Sequence, residues 1–247
     1  MQPQQISEMY ALEASHWWFW GKRHLMRRLL GDRLAGGSRR GELRILDIGC
    51  GAGANALELS GYGNVTASDR SLEALAFVRS RGVENVVAAE APQLPFRDGA
   101  FDIVTAYDVI EHVEDDRGFV AELARVLAPG GALAVHVPAW PFLWSRHDEV
   151  LEHKRRYTRR GLRELIHGSG LALETIGWTN CTIFAPTVAL RWSRRRRRDD
   201  GGGGADLGVV PAPINTLLRG VGRVEAALAA TTGLPIGVSL AVIATRR

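Results

Sequence analysis

Cysteine is scarce in this chain of 247 residues, which contains only Cys50 and Cys181. Two cysteines cannot form the multi-disulfide framework of a small secreted domain, so the sequence predicts a protein of the reducing cytoplasm. The first fifteen residues contain no basic stretch followed by an apolar run, which predicts that there is no signal peptide. The apolar stretch 176–192 contains Asn180 and Pro186 and is too short and polar for a membrane span.

Lysine is also rare, with Lys22 and Lys154 against 29 arginines. The formal net charge is +4, and the six arginines at 191 and 194–198 exceed that net charge by themselves. A run of like charge beside glycines is typical of a solvated loop, and no aromatic-interleaved basic groove accompanies it. The sequence therefore argues against nucleic-acid binding. It makes no prediction about the oligomeric state.

Short apolar segments alternate with helical ones in the order expected of an α/β protein with a parallel sheet. An N-terminal helical stretch over 5–34 is expected to break near Gly21. The predicted strands are 44–48, 64–68, 83–88, 101–107, 132–137, 171–179 and 236–245, and the predicted helices are 53–60, 71–80, 116–127, 159–169, 181–192 and 213–230. We predict an N-terminal helical lid (1–40), a core (41–179 and 236–247) and a helical insertion (180–235) with a mobile Arg/Gly-rich loop at about 193–208.

The stretch "ILDIGCGAGA" (45–54) follows the first predicted strand and opens a helix. A glycine-rich turn here brings backbone N–H groups and a helix N-terminus close to a bound ligand. Asp69 ends the next strand, where a carboxylate can bind both hydroxyls of a ribose. Both features fit a nicotinamide dinucleotide as well as other adenosine cofactors, so they leave the cofactor open.

Five segments in order distinguish these cofactors: "ILDIGCGAG" (45–53), "VTASDRS" (65–71), "AEAPQLPFRDGAFDIV" (89–104), "YDVIEHVED" (107–115) and "ARVLAPGGALAVHVP" (124–138). Together they resemble the class I S-adenosylmethionine (SAM)-dependent methyltransferases, in particular the methyltransferase type 11 and quinone methyltransferase-like subgroup. The resemblance implies an α/β, Rossmann-like, seven-stranded, mostly parallel sheet with an antiparallel last strand. N-terminal helices and a helical insertion before that strand complete the expected fold.

The resemblance also implies a role for each matching residue. Asp47 and the backbone of the glycine turn would hold the amino-acid end of SAM, and Asp69 its ribose hydroxyls. Glu90 would face the adenine amino group, although the family usually has Asp there. The full set of cofactor residues implied in this way is Asp47, Gly49, Gly51, Gly53, Asp69, Arg70, Glu90, Ala91, Leu94 and Asp108.

Methyl transfer to a hydroxyl or amine needs a group that takes up a proton near neutral pH. His112 follows the fourth strand, and His153 lies in "SRHDEVLEHKRRYT" (145–158) after the fifth, so both are candidate catalytic residues at the same sheet edge. His147, Asp148 and Tyr157 of that segment could also reach a substrate, whereas His136 is expected to be a packed strand residue.

Asp108, Glu111 and His112 are spaced i, i+3 and i+4, so they would share one face of a helical turn. Some quinone O-methyltransferases carry a similar group as a divalent-metal site, and two carboxylates with an imidazole could bind such an ion. We favour the metal-free alternative, in which Asp108 serves the cofactor, Glu111 caps a helix and His112 lines the pocket.

The aromatic block "HWWFW" (16–20) could close over the ligands or pack a helix onto the core. The apolar insertion favours a small or lipid-like acceptor, with peripheral membrane contact through the insertion as an alternative. The sequence thus predicts a SAM-dependent methyltransferase, with O-methylation favoured over N- or C-methylation. The rivals are an NAD-dependent oxidoreductase and a non-catalytic SAM-binding or membrane-docking module.

Overall fold

A computed structural model describes residues 10–35, 43–197 and 210–247. Its helices are α1 (Trp17–Leu30), α2 (Asp32–Ala35), α3 (Ala54–Leu59), α4 (Leu72–Ser80), α5 (Asp116–Val126), α6 (Arg146–Val150), α7 (Arg159–Gly168), α8 (Phe184–Arg197) and α9 (Ala212–Thr231). Its strands are β1 (Leu43–Ile48), β2 (Gly63–Asp69), β3 (Val86–Ala88), β4 (Phe101–Tyr107), β5 (Leu127–Pro138), β6 (Leu171–Thr179) and β7 (Ser239–Arg246). Short 3₁₀ turns cover Ile110–His112 and Pro141–Leu143.

The seven strands form one sheet in the order β3-β2-β1-β4-β5-β7-β6. The first five strands of that order are parallel, and β7 is antiparallel to both β5 and β6. Apolar side chains pack on both faces of the sheet, one cluster with α5 and α7 and the other with α1, α3 and α4. The predicted Rossmann-like sheet with an antiparallel last strand is confirmed.

The largest differences from the predicted elements lie at helix and strand ends. The third strand is only Val86–Ala88, since it lies at the sheet edge and pairs with β2 alone. The fifth strand begins at Leu127, because Leu127 already pairs with Phe101 of β4. Residues 193–197, predicted as the start of a loop, extend α8, and arginine is a good helix former. The rest of that predicted loop, 198–208, lies outside the described residues.

The predicted break at Gly21 is wrong, because α1 runs unbroken from Trp17 to Leu30. The chain turns earlier, at 14–16, and His16 caps the new helix by accepting a hydrogen bond from the Trp18 N–H. Gly21 instead lies beneath Gly222 of α9, where a Cβ on Gly222 would be 3.8 Å from the Gly21 Cα. That distance is an ordinary van der Waals contact, and a Cβ on Gly21 itself would meet nothing within 4 Å, so the helix tolerates Gly21 but its packing does not require it. None of the described helices is long and apolar enough to cross a membrane.

Candidate functional site

A cleft with a volume of about 1160 Å³ lies at the carboxyl edge of the parallel strands. Parallel strands that end at one edge bring their loops together, which is where ligand sites of α/β sheets lie. One wall consists of the β1–α3 turn with the ends of β2 and β4. The opposite wall is formed by α1, α8 and the segment 147–156.

The β1–α3 turn needs glycine because of its backbone and its neighbours. Gly49 has φ +64°, and a Cβ there would lie 2.4 Å from Cγ2 of Val109. Gly53 has φ +87° and a Cβ there would lie 2.8 Å from Cγ2 of Val78 on α4. Gly49 and Gly51 border the cleft, whereas Gly53 does not. Gly53 therefore serves close packing of the turn against α4 rather than ligand contact.

Asp47 ends β1 beneath this turn and is 2% exposed. Its Oδ1 accepts hydrogen bonds from the Thr105 hydroxyl and the Asn55 amide, both at 2.7 Å. Its Oδ2 is buried and has no hydrogen-bond partner in the described parts of the chain. Burial raises the pKa of this carboxyl to about 6, and the hydrogen bonds from Thr105 and Asn55 oppose the shift. A buried carboxylate oxygen that borders the cleft fits a donor on a ligand, such as the amino group of SAM.

Asp69 lies at the end of β2, next to the same turn. Its Oδ2 accepts a hydrogen bond of 3.0 Å from the Gly51 N–H, and its Oδ1 one of 2.9 Å from the Ser71 N–H. Asp69 is not the N-cap of α4, because Ser71 takes that position and accepts from the Ala74 N–H. Asp69 is thereby fixed at the cleft with acceptor capacity left on both oxygens.

Four further residues of the expected cofactor set lie in different places in the structure. Arg70, Glu90 and Ala91 border the cleft, and Arg70 lies 3.3 Å from Glu152 and 3.9 Å from Glu90. Leu94 does not border it. Its side chain is buried in the core, and its N–H donates to Glu122 of α5. The Leu94 side chain therefore packs into the core rather than along the cleft, because "LPF" turns inward at that point.

Asp108 follows β4 with φ 55° and accepts two short contacts. The Lys22 ammonium lies 2.5 Å from its Oδ2, and Nδ1 of His136 lies 2.7 Å from its Oδ1. Burial works to raise the pKa of Asp108, but Lys22 and His136 outweigh it and hold that pKa well below its usual range. His136 is buried in β5, as predicted, and its Nε2 lies 3.2 Å from the Thr179 hydroxyl.

The residues that could hold a metal ion in the structure differ from those that the sequence suggested. Glu111 and His112 lie in the 3₁₀ turn after β4, but Asp108 is engaged by Lys22 and His136. His153 joins the two instead, and one ligand atom from each of the three lies within 4.8 Å of the others. The predicted trio of Asp108, Glu111 and His112 is therefore not the set that converges.

The pKa values of Glu111 and His112 are shifted in opposite directions. Burial raises the pKa of Glu111 well above its usual range, with the charge of Asp108 as the next cause. Burial lowers the pKa of His112 to about 4, and His153 adds to the shift. His112 is therefore neutral at pH 7, with its ring 4.8 Å from that of His153.

His153 is paired with a buried carboxylate. Oδ1 of Asp148 lies 3.0 Å from Nδ1 of His153 and accepts a hydrogen bond of 2.7 Å from Nε of Arg156. Arg191 of α8 lies 3.6 Å from the other oxygen, and Ser145 completes a capping box with Asp148 at the start of α6. Burial favours protonation of Asp148, but the bonds from His153 and Arg156 outweigh it and hold the pKa well below its usual range.

An ionised Asp148 favours the His153 tautomer with the proton on Nδ1, which leaves Nε2 able to accept a proton. The same segment contains one wrong prediction, because Tyr157 does not border the cleft. It is buried, and its hydroxyl donates to Asp116 of α5. His147 does border the cleft.

Several cleft residues were not predicted from the sequence, among them Glu13 and Lys22 of the N-terminal segment. The Glu13 carboxylate accepts a hydrogen bond of 3.0 Å from the Ala54 N–H, and Lys22 contacts Asp108. No motif or spacing pointed to either residue. The aromatic block has two roles: Trp17, Trp18 and Phe19 border the cleft, whereas Trp20 packs under two arginines of α9.

One face of α8 and its lead-in residue forms the wall around the histidines. Ile183, Pro186, Thr187, Leu190 and Arg191 border the cleft at spacings of i, i+3, i+4, i+7 and i+8. This is the spacing of one helix face, and three of its five members are apolar.

Residues 46–135 match a family model described as "Methyltransferase domain". The "O-methyltransferase rstn1" of Aspergillus nomiae is 37% identical over 158 residues, which cover 58% of this chain and 69% of that protein. The "Uncharacterized methyltransferase YcgJ" of Bacillus subtilis is 39% identical over 127 residues, or 47% of this chain and 49% of that protein. By sequence, the chain spans about half of YcgJ and about a third of two further curated relatives.

The solved structure of YcgJ has a TM-score of 0.55 at 22% identity and covers 90% of this chain and 99% of that one. At this identity the likeness bears on the fold, which agrees with the sheet order above. The glycine turn, the unpaired oxygen of Asp47 and the fixed carboxylate of Asp69 suit the amino and ribose groups of SAM. The sequence matches and the fold agree that the chain belongs to the class I SAM-dependent methyltransferase family.

Proposed function

We propose that this protein transfers the methyl group of SAM to a hydroxyl of a small or lipid-like acceptor. One observation carries the proposal: the glycine turn with Asp47 faces, across a single cleft, a histidine paired with a buried aspartate. Cofactor and proton acceptor thus meet in one cavity. The name of the relative rstn1, an O-methyltransferase, supports the choice of oxygen.

On the cofactor side, the proposed contacts are those residues of the expected set that border the cleft. Asp47 accepts from the amino group through its unpaired Oδ2, and Asp69 accepts from the ribose hydroxyls. The complete proposed set is Asp47, Gly49, Gly51, Asp69, Arg70, Glu90, Ala91 and Asp108.

Bound SAM supplies an electrophilic methyl group on a sulfonium, which is already a good leaving group. The protein therefore has to orient the acceptor, exclude water and take up a proton. As the new O–CH₃ bond forms and the S–CH₃ bond breaks, the hydroxyl proton passes to Nε2 of His153, and S-adenosylhomocysteine leaves. Asp148 holds the ring orientation and stabilises the resulting imidazolium, while neutral His112 contacts the acceptor from the side.

The acceptor is expected to be largely apolar. The α8 face presents Ile183, Pro186 and Leu190, and α1 presents Trp17 and Trp18 to the same cleft. Pockets of this kind bind an apolar body and orient it with a few polar groups. This supports a small-molecule or lipid-like acceptor.

The test is transfer of labelled methyl groups from SAM into a small-molecule extract, followed by mass spectrometry of the labelled products. Wild-type protein should label at least one oxygen-bearing metabolite. His153→Gln should lower the rate by about 10²-fold, the usual contribution of a general base. His167→Gln, which changes an exposed histidine at the end of α7, is the matched control and should retain the wild-type rate.

Labelling only of carbon atoms, or equal rates for wild type and His153→Gln, would contradict the proposed role of His153. Absence of any transfer, together with binding of SAM, would favour the non-catalytic SAM-binding module instead.

A further inference from the structure

The carboxyl group of Glu111 is buried without a hydrogen-bond partner among the described residues. It is fully buried, and neither carboxylate oxygen has a hydrogen-bond partner within 10–35, 43–197 or 210–247. Nevertheless it borders the cleft, between the cofactor wall and His153. Buried polar atoms are nearly always paired, and each exception requires an explanation such as an absent ligand atom.

The geometry around Glu111 defines the size of the missing group. One atom each of Glu111, His112 and His153 lies within 4.8 Å of the other two. For any three atoms that lie within 4.8 Å of one another, there is a position no more than 2.8 Å (4.8 Å/√3) from all three. That distance is typical of a hydrogen bond between oxygen or nitrogen atoms. One oxygen or nitrogen atom at this point could bond all three side chains.

We propose that the reacting atom of the acceptor is a proton-bearing heteroatom held directly by Glu111, together with His112 and His153. The inference rests on the proposed function and deepens it, because it names Glu111 as a direct contact of the reacting heteroatom, and this contact suits a hydroxyl or an amine but not a carbon nucleophile. Glu111 becomes a substrate contact that no motif had identified as such.

The hydrogen-bonding capacities of the three side chains agree with this assignment. A hydroxyl offers one proton and two lone pairs. The proton suits Nε2 of His153, whose Nδ1 is already directed to Asp148. With that proton directed to His153, Glu111 pairs with a hydroxyl oxygen as the protonated carboxyl, which donates to a lone pair, whereas an amine has a second proton that an ionised Glu111 can accept. A carbon acid offers no comparable partner for a buried carboxyl.

The test uses an isosteric pair of probes, 4-propylphenol and 4-propyltoluene, which differ by a hydroxyl in place of a methyl group. Their dissociation constants are measured by NMR titration on protein loaded with S-adenosylhomocysteine. Relative to the wild type, Glu111→Leu should shift the phenol-to-toluene affinity ratio roughly three- to tenfold toward toluene, as expected for one lost hydrogen bond. Glu111→Gln keeps both donor and acceptor and should retain most of the wild-type ratio.

Glu149→Gln, which changes an exposed acid of α6 away from the cleft, is the control and should leave the ratio unchanged. An unchanged ratio in Glu111→Leu overturns the inference. A wild-type ratio that disappears on treatment with EDTA also overturns it, because the contact would then pass through a metal ion. Failure of S-adenosylhomocysteine to bind, measured on the same samples, would overturn the proposed function instead.

Discussion

At the scale of single residues, the two oxygens of Asp47 have different environments. Oδ1 is held by Thr105 and Asn55, whereas Oδ2 is buried without a partner among the residues described. Burial raises the pKa of this carboxyl to about 6. A positively charged amino group beside Oδ2 favours the ionised form, so ligand binding and ionisation of Asp47 are linked.

The first prediction follows from that linkage. Below pH 6 Asp47 is protonated in the free protein and must lose its proton before it pairs with the cofactor amino group. The affinity for S-adenosylhomocysteine should therefore be constant above about pH 7 and fall as pH drops through 6, approaching tenfold per pH unit. Calorimetric titrations at pH 5.0 to 7.5 measure this. Asp47→Asn should bind more weakly but without this pH dependence, and an identical pH profile in both proteins would contradict the linkage.

The second prediction concerns the orientation of His153. Asp148→Asn replaces an acceptor with an amide that can donate to Nδ1 and so favours the tautomer with the proton on Nε2. Methyl transfer should fall by about 10²-fold or more, because Nε2 can then no longer take up a proton. The affinity for S-adenosylhomocysteine should change less than about twofold, since Asp148 does not border the cleft.

The control for this variant is Asp98→Asn, which weakens an ion pair with Arg125 before β4, at the opposite end of that strand from the cleft. Equal rates for the two variants would show that Asp148 has no role in positioning the base.

Residues next to a motif could be identified from the sequence, and residues brought in from a distance could not. The positions of Asp47 and Asp69 follow from the strand–turn–helix pattern, since a strand end fixes them at the cleft. Glu13 and Lys22 reach the cleft from a separate helical segment, so no local spacing encodes their place. Leu94 and Tyr157 were expected to face the cleft but face the core. In both segments the direction of the side chain changes within one or two residues, which the sequence pattern does not show.

At the scale of elements, α1 and α9 form a packed pair that connects the N-terminal segment with the insertion. Asn215 of α9 accepts a hydrogen bond of 2.7 Å from the Trp17 N–H and donates one of 2.9 Å to the Ser15 carbonyl. Trp20 of α1 lies under the guanidinium groups of Arg219 and Arg223. We propose that these two parts of the chain cover the cleft as one unit.

The third prediction tests this pairing. Asn215→Ala removes a side chain that caps the first turn of α1, and a lost cap costs about 1 kcal/mol of unfolding free energy. Urea denaturation should show a loss of this size. Hydrogen exchange should show faster exchange of the first-turn amides of α1 than in the wild type.

Thr216→Ala is the control, because the Thr216 hydroxyl bonds only a carbonyl of its own helix, that of Ala212, in the described structure. Exchange in α1 that is the same for Asn215→Ala and the wild type would contradict the coupling of the two elements.

The elements of the sheet could be predicted because each strand carries its own apolar pattern. Helix α1 was predicted as a broken helix because Gly21 was taken for a local signal. The helix continues through it because α1 packs against α9, some 200 residues later in the chain, and this tertiary packing outweighs the low helix propensity of glycine. The ends of β5 likewise depend on pairing with β4, which the segment itself does not encode.

At the scale of the whole molecule, the strand order determines where chemistry can occur. The ends of β1, β2 and β4 meet at one edge, and α1 and α8 border the cleft at that edge. The fold class was predictable, since the order of motifs along the chain corresponds to a known order of strands. The wall that α8 contributes to the cleft could not be predicted, because tertiary contacts place that helix there.

This cleft is assigned to SAM rather than to a nicotinamide dinucleotide, and calorimetric titration distinguishes the two cofactors. The wild-type protein and Asp69→Asn are each titrated with S-adenosylhomocysteine and with NADH. S-adenosylhomocysteine should bind the wild type, Asp69→Asn should bind it at least about tenfold more weakly through loss of the charged ribose contact, and NADH should not bind. Tighter binding of NADH than of S-adenosylhomocysteine would show that the assignment to SAM is wrong.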